Sequence, residues 1–193
     1  ADSKPHYELL DGLRGVAALV VIWYHVFEGF ATSPVDQCFN HGYLAVDFFF
    51  ILSGFVVGYA YDDRWRRRSL TLGSFIKRRL IRLHPMVVLG AVLGAVTFCL
   101  QGRVMWDGTQ VALSAVMLAL LLHLFLIPAL PGSTPEVRGN AEMYPLNGPT
   151  WSLFFEYIGN LLYALLLRRL PTRWLAGFVA LAGAGLAAFA LGN

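Results

Sequence analysis

The sequence has little charge for a chain of its length. Asp, Glu, Lys and Arg make up 14% of its 193 residues, against about 25% in an average soluble domain. So few charged side chains cannot cover the surface of a globular domain. Hydrophobic residues make up 57%, which excludes intrinsic disorder, because disordered chains combine low hydrophobicity with high net charge. The composition indicates a protein that lies in a membrane.

Cysteine and the commoner motifs of soluble enzymes are also scarce. Two cysteines, Cys38 and Cys99, are too few for a disulfide scaffold or a four-cysteine zinc site. The sequence has no glycine-rich phosphate loop, no Gly-x-Ser-x-Gly turn and no His-Glu-x-x-His helix. We therefore expect no metal site and no bound cofactor. The N-terminus lacks the charged and apolar pattern of a cleavable signal peptide, so none is predicted.

Long apolar runs, in contrast, are abundant. A helix needs about 20 apolar residues to cross roughly 30 Å of hydrocarbon, and helices satisfy their backbone polar groups within the segment. The predicted fold is therefore all-α, a polytopic transmembrane helix bundle of five to six segments in a single domain over residues 1–193. The fifth segment is the weakest. The six stretches are 13–31, 43–61, 83–101, 110–130, 150–167 and 173–191.

The basic residues indicate how the chain is oriented. Residues 62–82 carry eight of the 15 Lys and Arg residues, and cytoplasmic loops are rich in both. We predict that 62–82 is a cytoplasmic basic loop, that the N-terminus is cytoplasmic, and that the basic residues face membrane lipid and not nucleic acid. If six segments alternate, however, the arginine-rich loop 168–173 falls outside. The orientation after residue 130 therefore stays open.

Ionisable residues inside the predicted first span are costly in a membrane and usually mark a site or a pathway. His25 follows Arg14 by eleven residues, which puts both on one helix face, about 16.5 Å apart along the axis. Glu28 lies three residues beyond His25, where its carboxylate can orient the imidazole and raise its basicity. A purely structural role stays open for each residue. Arg14 could anchor the helix at the lipid headgroups, His25 could be a packing residue, and Glu28 could mark the end of the span.

Further polar groups occur in the later segments. Arg79 and Arg82, three residues apart, can converge on one phosphate, or they can form a basic cluster on anionic lipid. His84 and His123 stand alone in apolar segments and are better explained as structural histidines. Other polar or amphipathic groups within the second and fifth segments are Asp47, Ser53, Trp151 and Glu156.

Four stretches of the sequence resemble acyltransferase family 3, membrane proteins that O-acylate sugars and other acceptors. They are similar to the Arg/Lys-x10-His motif of the family's opening helix, its second helix, its Arg-x-x-Arg stretch and its Trp-Ser-Leu motif. They occur in the family's order, at residues 10–25, 42–55, 75–85 and 147–156. The family's domain is usually about twice as long, so the chain looks like its N-terminal half.

The resemblance implies transfer of an acyl group, most often acetyl, from cytoplasmic acyl-CoA to a hydroxyl of a carbohydrate or lipid-linked sugar. His25 would be the general base, with Glu28 as its catalytic partner, and a covalent acyl-His route stays open beside direct transfer. Arg14, Arg79 and Arg82 would bind the donor, since the planar guanidinium suits phosphate. Acyl-CoA would be a substrate and no cofactor would stay bound.

The resemblance also implies supporting roles and a location. Asp47 and Glu156 would hold the arginines or the histidine, because buried charges need partners. The oxyanion donor stays open between Ser53, Trp151 and backbone amides. The expected location is a bacterial inner membrane. The main alternative is a transporter or flippase of an anionic solute that uses the same intramembrane charges. A third is a non-catalytic membrane scaffold, in which His25→Ala would leave the function intact.

Overall fold

The computed structural model describes residues 7–28, 30, 41–130, 136–138 and 142–192. These residues form six α-helices and a single 3-10 turn, with one isolated bridge between Val104 and Gln110 as their β-structure. The predicted all-α fold is confirmed. The elements are α1 (Glu8–Glu28), α2 (Leu44–Arg66), α3 (Leu72–Leu100), α4 (Leu113–Leu124), α5 (Thr150–Leu165), the 3-10 turn (Leu167–Arg169) and α6 (Thr172–Gly192).

Within the described chain, five helical segments are long and apolar enough to cross a membrane. They are α1, α2, α3, the segment Thr150–Arg169 and α6. Helix α4 has 12 residues and a length of about 18 Å, which is short of the roughly 30 Å of hydrocarbon. The prediction that 110–130 is a spanning helix is therefore wrong, whereas the fifth segment, the weakest in the sequence, reaches the required length.

Local backbone chemistry explains why α4 is short. Before it, the bridge between Val104 and Gln110 closes a hairpin, in which Gly108 has a φ of +85°. The Thr109 amide donates to the Asp107 carboxylate at 2.8 Å and holds the pKa of Asp107 below its usual range. After α4, Leu126 has a φ of +54°, which ends the helix. Apolar composition alone does not reveal either interruption.

The basic segment 62–82 differs from the predicted loop because most of it is helical. Only residues 67–71 lie between α2 and α3. Arg68, with a φ of +53°, follows the end of α2. Thr71 caps α3, since its hydroxyl oxygen accepts from the Ser74 amide at 3.2 Å. Six of the eight Lys and Arg residues therefore lie on the adjoining ends of two long helices, and Arg67 and Arg68 lie in the connection.

The chain divides into two compact units, Ala1–Tyr61 and Asp62–Asn193. The first holds α1 and most of α2. In it, the Tyr7 ring lies 6.1 Å from Phe55 and 5.3 Å from Tyr59, measured between ring centroids. These contacts place the start of α1 beside the middle of α2.

The second unit is built on α3, which packs against α4 and α5. One stripe of α3 is buried, with members three or four residues apart as expected for one helix face. The stripe consists of Phe75, Arg79, Leu83, Val87, Ala91, Ala95 and Phe98. The C-terminal end of this stripe, Ala95 and Phe98, belongs to an apolar core that also contains Val111, Val116, Ala119, Val137 and Leu146.

Helices α3 and α5 run antiparallel. The chain leading into α5 crosses α3 at Gly94, where a Cβ atom would lie 1.9 Å from the Leu146 carbonyl oxygen. Farther along, the Arg79 side chain meets Glu156, and the Phe75 ring lies 5.9 Å from Tyr163. In these three contacts, later residues of α5 and of the chain leading into it meet earlier residues of α3. The end of α5 therefore lies beside the start of α3.

This arrangement brings the two arginine-rich segments to the same end of the second unit. The Arg168 guanidinium lies over the Trp65 ring, 4.0 Å from its centroid, and the Tyr163 hydroxyl donates to the Asp62 carboxylate at 2.5 Å. Both contacts join the end of α2 to the end of α5. Because α4 is too short to cross, α3 and α5 are consecutive candidate spans along the chain.

Candidate active site

His25 and Glu28 meet near the end of α1. The His25 Nδ1 atom lies 2.8 Å from Glu28 Oε2, and both side chains are about half exposed. The carboxylate can only accept, so Nδ1 carries the proton in this bond. In the neutral imidazole the Nε2 lone pair is then left as the basic site. The contact predicted from the three-residue spacing is present, and it selects the tautomer.

Arg14 lies on the same helix, which is unbroken from Glu8 to Glu28. Its guanidinium is 3.5 Å from the Asp11 carboxylate, and the two side chains are 42% and 51% exposed. Such an exposed pair contributes little and does not occupy the guanidinium. Arg14 is thus in place to meet an anion about three helical turns from His25.

The other two predicted residues of the first unit lie on α2. Asp47 is exposed in the first turn of the helix, and Ser53 is half-buried farther along.

Arg79 and Glu156 form the principal ion pair of the second unit. The Arg79 Nη2 atom donates to Glu156 Oε1 at 2.8 Å, and the Arg79 side chain is 4% exposed. Arg82, three residues later, is exposed. The structure therefore gives different surroundings to two arginines that the sequence analysis expects on one phosphate. Glu156 was expected to hold an arginine or a histidine, and its carboxylate lies on Arg79.

More polar groups of α5 lie close to this pair. The Asn160 amide nitrogen donates to the Glu156 carbonyl at 2.7 Å. The Tyr157 hydroxyl and the Asn160 side-chain oxygen are both buried, and neither has a hydrogen-bond partner among the described residues. Trp151, in the first turn of the helix, is 38% exposed. Tyr157 could not be predicted as a site residue from the sequence, because one tyrosine in an apolar helix carries no signal.

A separate buried cluster joins α4 to the start of α5. The His123 Nε2 atom lies 3.0 Å from the Thr150 hydroxyl, and its ring centroid lies 4.9 Å from that of Tyr144. The Tyr144 hydroxyl donates to the Leu126 carbonyl at 2.9 Å. All three side chains are at most 1% exposed. His123 is thus a packing and hydrogen-bonding residue, the role expected from its isolated position.

No group of three or more His, Cys, Asp or Glu residues in the described part of the chain is arranged to hold a metal ion. Cys99 is a free, exposed thiol, and Cys38 lies outside the described residues. The arrangement of the described polar groups favours acid–base chemistry at His25 and anion recognition by arginine.

Comparison with known proteins decides the family. The model of an acyltransferase domain, that of acyltransferase family 3, matches residues 7–193. The chain belongs to this family. The predicted membrane acyltransferase is confirmed at that level, and the apolar helices of this acyltransferase make it an integral membrane protein. An acyl donor, a hydroxyl acceptor and membrane lipid are the partners that this class of enzyme requires.

Three relatives show how far the similarity extends. The acyltransferase is 37% identical over 177 residues to "Protein 2 in picA locus" of Rhizobium radiobacter, covering 85% of this chain and 84% of the relative. It is 30% identical over 191 residues to the acyltransferase MdmB of Streptomyces mycarofaciens, covering 90% and 44%. It is 35% identical over 86 residues to the peptidoglycan O-acetyltransferase OatA of Listeria monocytogenes, covering 44% and 12%.

The chain thus spans less than half the length of the two relatives that are named for acyl transfer. No solved structure matches the chain.

Proposed function

We propose that this acyltransferase moves an acetyl or similar acyl group from cytoplasmic acyl-CoA to a hydroxyl of a carbohydrate or lipid-linked sugar. The observation that carries the proposal is the 2.8 Å contact between His25 Nδ1 and Glu28. It leaves Nε2 as a base on a helix that also presents Arg14. A peptidoglycan O-acetyltransferase among the relatives supports a carbohydrate acceptor.

In the proposed reaction, His25 Nε2 takes the proton from the acceptor hydroxyl as its oxygen attacks the thioester carbonyl. The tetrahedral intermediate then collapses, the carbon–sulfur bond breaks, and the imidazolium returns the proton to the CoA thiolate. A general base of this kind contributes about 10²–10⁴-fold. Glu28 stabilises the imidazolium through Nδ1, so its negative charge acts in the transition state.

The donor would lie along α1. Arg14 is about 16.5 Å from His25 along the helix axis, a gap that an extended pantetheine arm can bridge. The phosphates of CoA would then lie near Arg14, while the thioester lies near His25. Arg82, whose side chain is exposed, is proposed as a second cation that binds the donor. Asp47, Ser53 and Trp151 are proposed to support the site, the last two as hydrogen-bond donors to the oxyanion.

The orientation proposed for the chain agrees with a cytoplasmic donor. The contact of Arg168 with Trp65 puts loop 168–173 at the same end of the second unit as the basic segment 62–82. Cytoplasmic ends of membrane proteins are rich in Lys and Arg. We therefore place this end, and the N-terminus two spans earlier, in the cytoplasm of a bacterium and the protein in its inner membrane.

The test measures acetyl-CoA binding and acyl transfer by the purified membrane protein. Arg14→Ala should weaken binding by tenfold or more, a loss of about 1.4 kcal/mol, because a phosphate contact is removed. His25→Ala should leave binding within about threefold and abolish transfer. Arg173→Ala is the matched control for loss of an exposed arginine and should change neither. Equal loss of binding in Arg14→Ala and His25→Ala would contradict the assigned roles, and no binding by the wild-type chain would contradict a donor site within it.

A further inference from the structure

One face of α3 carries an open apolar groove that runs from Leu80 to Val92 and has a volume of about 770 Å³. The groove begins one turn after two exposed cations, Lys77 and Arg78. We propose that it binds the acyl chain of an anionic phospholipid whose phosphate lies on these two side chains. This inference concerns the second unit alone and does not depend on the proposed function.

The groove lies on a part of α3 that does not pack within the protein. Two rows of side chains border it, spaced four residues apart from Leu80 and from Ile81, as ridges on a helix surface are. Ile81 is 67% exposed and Leu89 is 52% exposed. Leu83 and Val87, which belong to the buried stripe of α3, lie on a different face of the helix. The groove therefore faces the hydrocarbon of the membrane.

The charge at one end of the groove complements an anionic headgroup. Lys77 precedes Ile81 by four residues and Arg78 precedes Pro85 by seven, so both cations lie on the face of the groove. Helix α3 contains no acidic residue, and it has no charged residue from His84 to its end. The groove thus has one cationic end and one apolar end, as a binding site for an anionic lipid requires.

The length of the groove fits one acyl chain better than a partner helix. From Leu80 to Val92 it extends about 18 Å at 1.5 Å per residue, little more than half of the roughly 30 Å of hydrocarbon. Helix α3 has 29 residues and extends about 44 Å, so its first turns reach the headgroup layer when the groove lies in hydrocarbon. A helix of a second copy would be expected to pack along the whole span.

The polar groups that line the groove lie near its cationic end. The His84 Nδ1 atom is buried without a hydrogen-bond partner among the described residues. Pro85 has no backbone N–H, so it cannot donate to the Ile81 carbonyl one turn earlier. Polar groups of this kind are costly in pure hydrocarbon and are better placed beside the glycerol and ester oxygens of a phospholipid. Toward Val92 the lining is apolar, where the acyl chain would lie.

The test measures the melting temperature of the full chain in one neutral detergent while dioleoylphosphatidylglycerol is added. A ligand that binds the folded state raises the Tm by mass action, so the wild type should gain several degrees. Dioleoylphosphatidylcholine should give a much smaller rise, because its headgroup has no net charge. Glycerol 3-phosphate should give none, because it lacks the acyl chain, and this comparison separates a lipid site from a simple phosphate site.

Two pairs of variants test the two ends of the groove. The double substitution Lys77→Gln and Arg78→Gln should weaken binding of the phosphatidylglycerol at least tenfold, because both cations are lost. Arg173→Gln, which removes an exposed cation from another helix, is the matched control and should not. Val88→Trp fills the groove and should remove the rise in Tm. Met86→Trp, at a 59% exposed position on another face of α3, should keep it.

The results that would overturn the proposal differ from those that support it. Equal rises in Tm with the two phospholipids, or an unchanged affinity after loss of both cations, would show that α3 meets only unspecific membrane lipid. A dimer that Val88→Trp dissociates, with no preference for the anionic lipid, would assign the groove to a second copy of the chain. Val88→Phe is measured beside Val88→Trp, so that poor folding of one variant does not decide the outcome.

Discussion

At the scale of single residues, Glu28 decides which nitrogen of His25 acts as the base. Its carboxylate accepts from Nδ1 at 2.8 Å, so it fixes the tautomer and compensates the charge that the ring gains during proton transfer. The same division of work, with a carboxylate behind a histidine, occurs in hydrolytic triads. The structure places the group that orients the base only three residues from it on one helix.

We predict that Glu28→Gln lowers the rate of acyl transfer about 10–100-fold, by analogy with the loss of a group that orients a metal-binding histidine. The amide can still accept from Nδ1 but carries no charge to stabilise the imidazolium. Single-turnover rates at saturating acetyl-CoA measure the effect, and the dissociation constant of the donor should not change. Glu8→Gln, which removes an exposed acid from the first turn of the same helix, is the control. If the Glu28→Gln variant transferred acyl groups at the wild-type rate, Glu28 would have no catalytic role and would only mark the end of the span.

The distance along the chain explains which site contacts could be predicted. The contact of His25 with Glu28 follows from helical spacing alone. The partner of Glu156 was expected only as some arginine or histidine, because Arg79 lies 77 residues away. The bond from Tyr163 to Asp62 crosses 101 residues and was not foreseen. Each such pair depends on the register of two helices, which composition and periodicity do not determine.

At the scale of helices, hydropathy predicted the spans well and the interruptions poorly. The five segments that are long enough to cross overlap five of the six predicted stretches. The stretch 110–130 is as apolar as its neighbours, yet its helix covers only Leu113–Leu124. The hairpin before it and the positive φ of Leu126 after it are local backbone features that an average over 20 residues hides.

The close crossing of α3 by residues 146 and 147 leads to a prediction at this scale. Gly94→Ala should destabilise the protein by about 1–3 kcal/mol, because its Cβ atom would lie 1.9 Å from the Leu146 carbonyl oxygen. Gly73→Ala, on the same helix with no atom within 4 Å of its added Cβ, should instead stabilise it by about 0.4–1 kcal/mol. Thermal unfolding in one detergent measures both. Equal effects of the two substitutions would contradict the close crossing.

At the scale of the whole molecule, the antiparallel pairing of α3 and α5 supports the proposal that residues 62–82 and 168–173 share a side of the membrane. Taking α4 as a span sends loop 168–173 to the side opposite 62–82. The structure instead unites the two basic segments through Arg168 and Trp65. Whether α4 is counted as a span therefore decides the predicted side of the membrane for every later loop and the predicted direction of α6. No residue of α6 is buried by the described part of the chain.

This pairing predicts the reactivity of single cysteines introduced by substitution. In a background with Cys38→Ser and Cys99→Ser, we expect Arg67→Cys and Arg173→Cys to be protected from a membrane-impermeant maleimide added outside intact cells. Asp107→Cys, in the hairpin beyond the far end of α3, should react. Labelling after the membrane is opened with detergent is the control that all three thiols are accessible.

If six segments alternated across the membrane, Arg173→Cys would react from outside while Arg67→Cys would not, because an extra span would separate them. Matching protection of these two sites, with reaction at 107, requires that the chain cross the membrane an even number of times between residues 67 and 173, as α3 and α5 do.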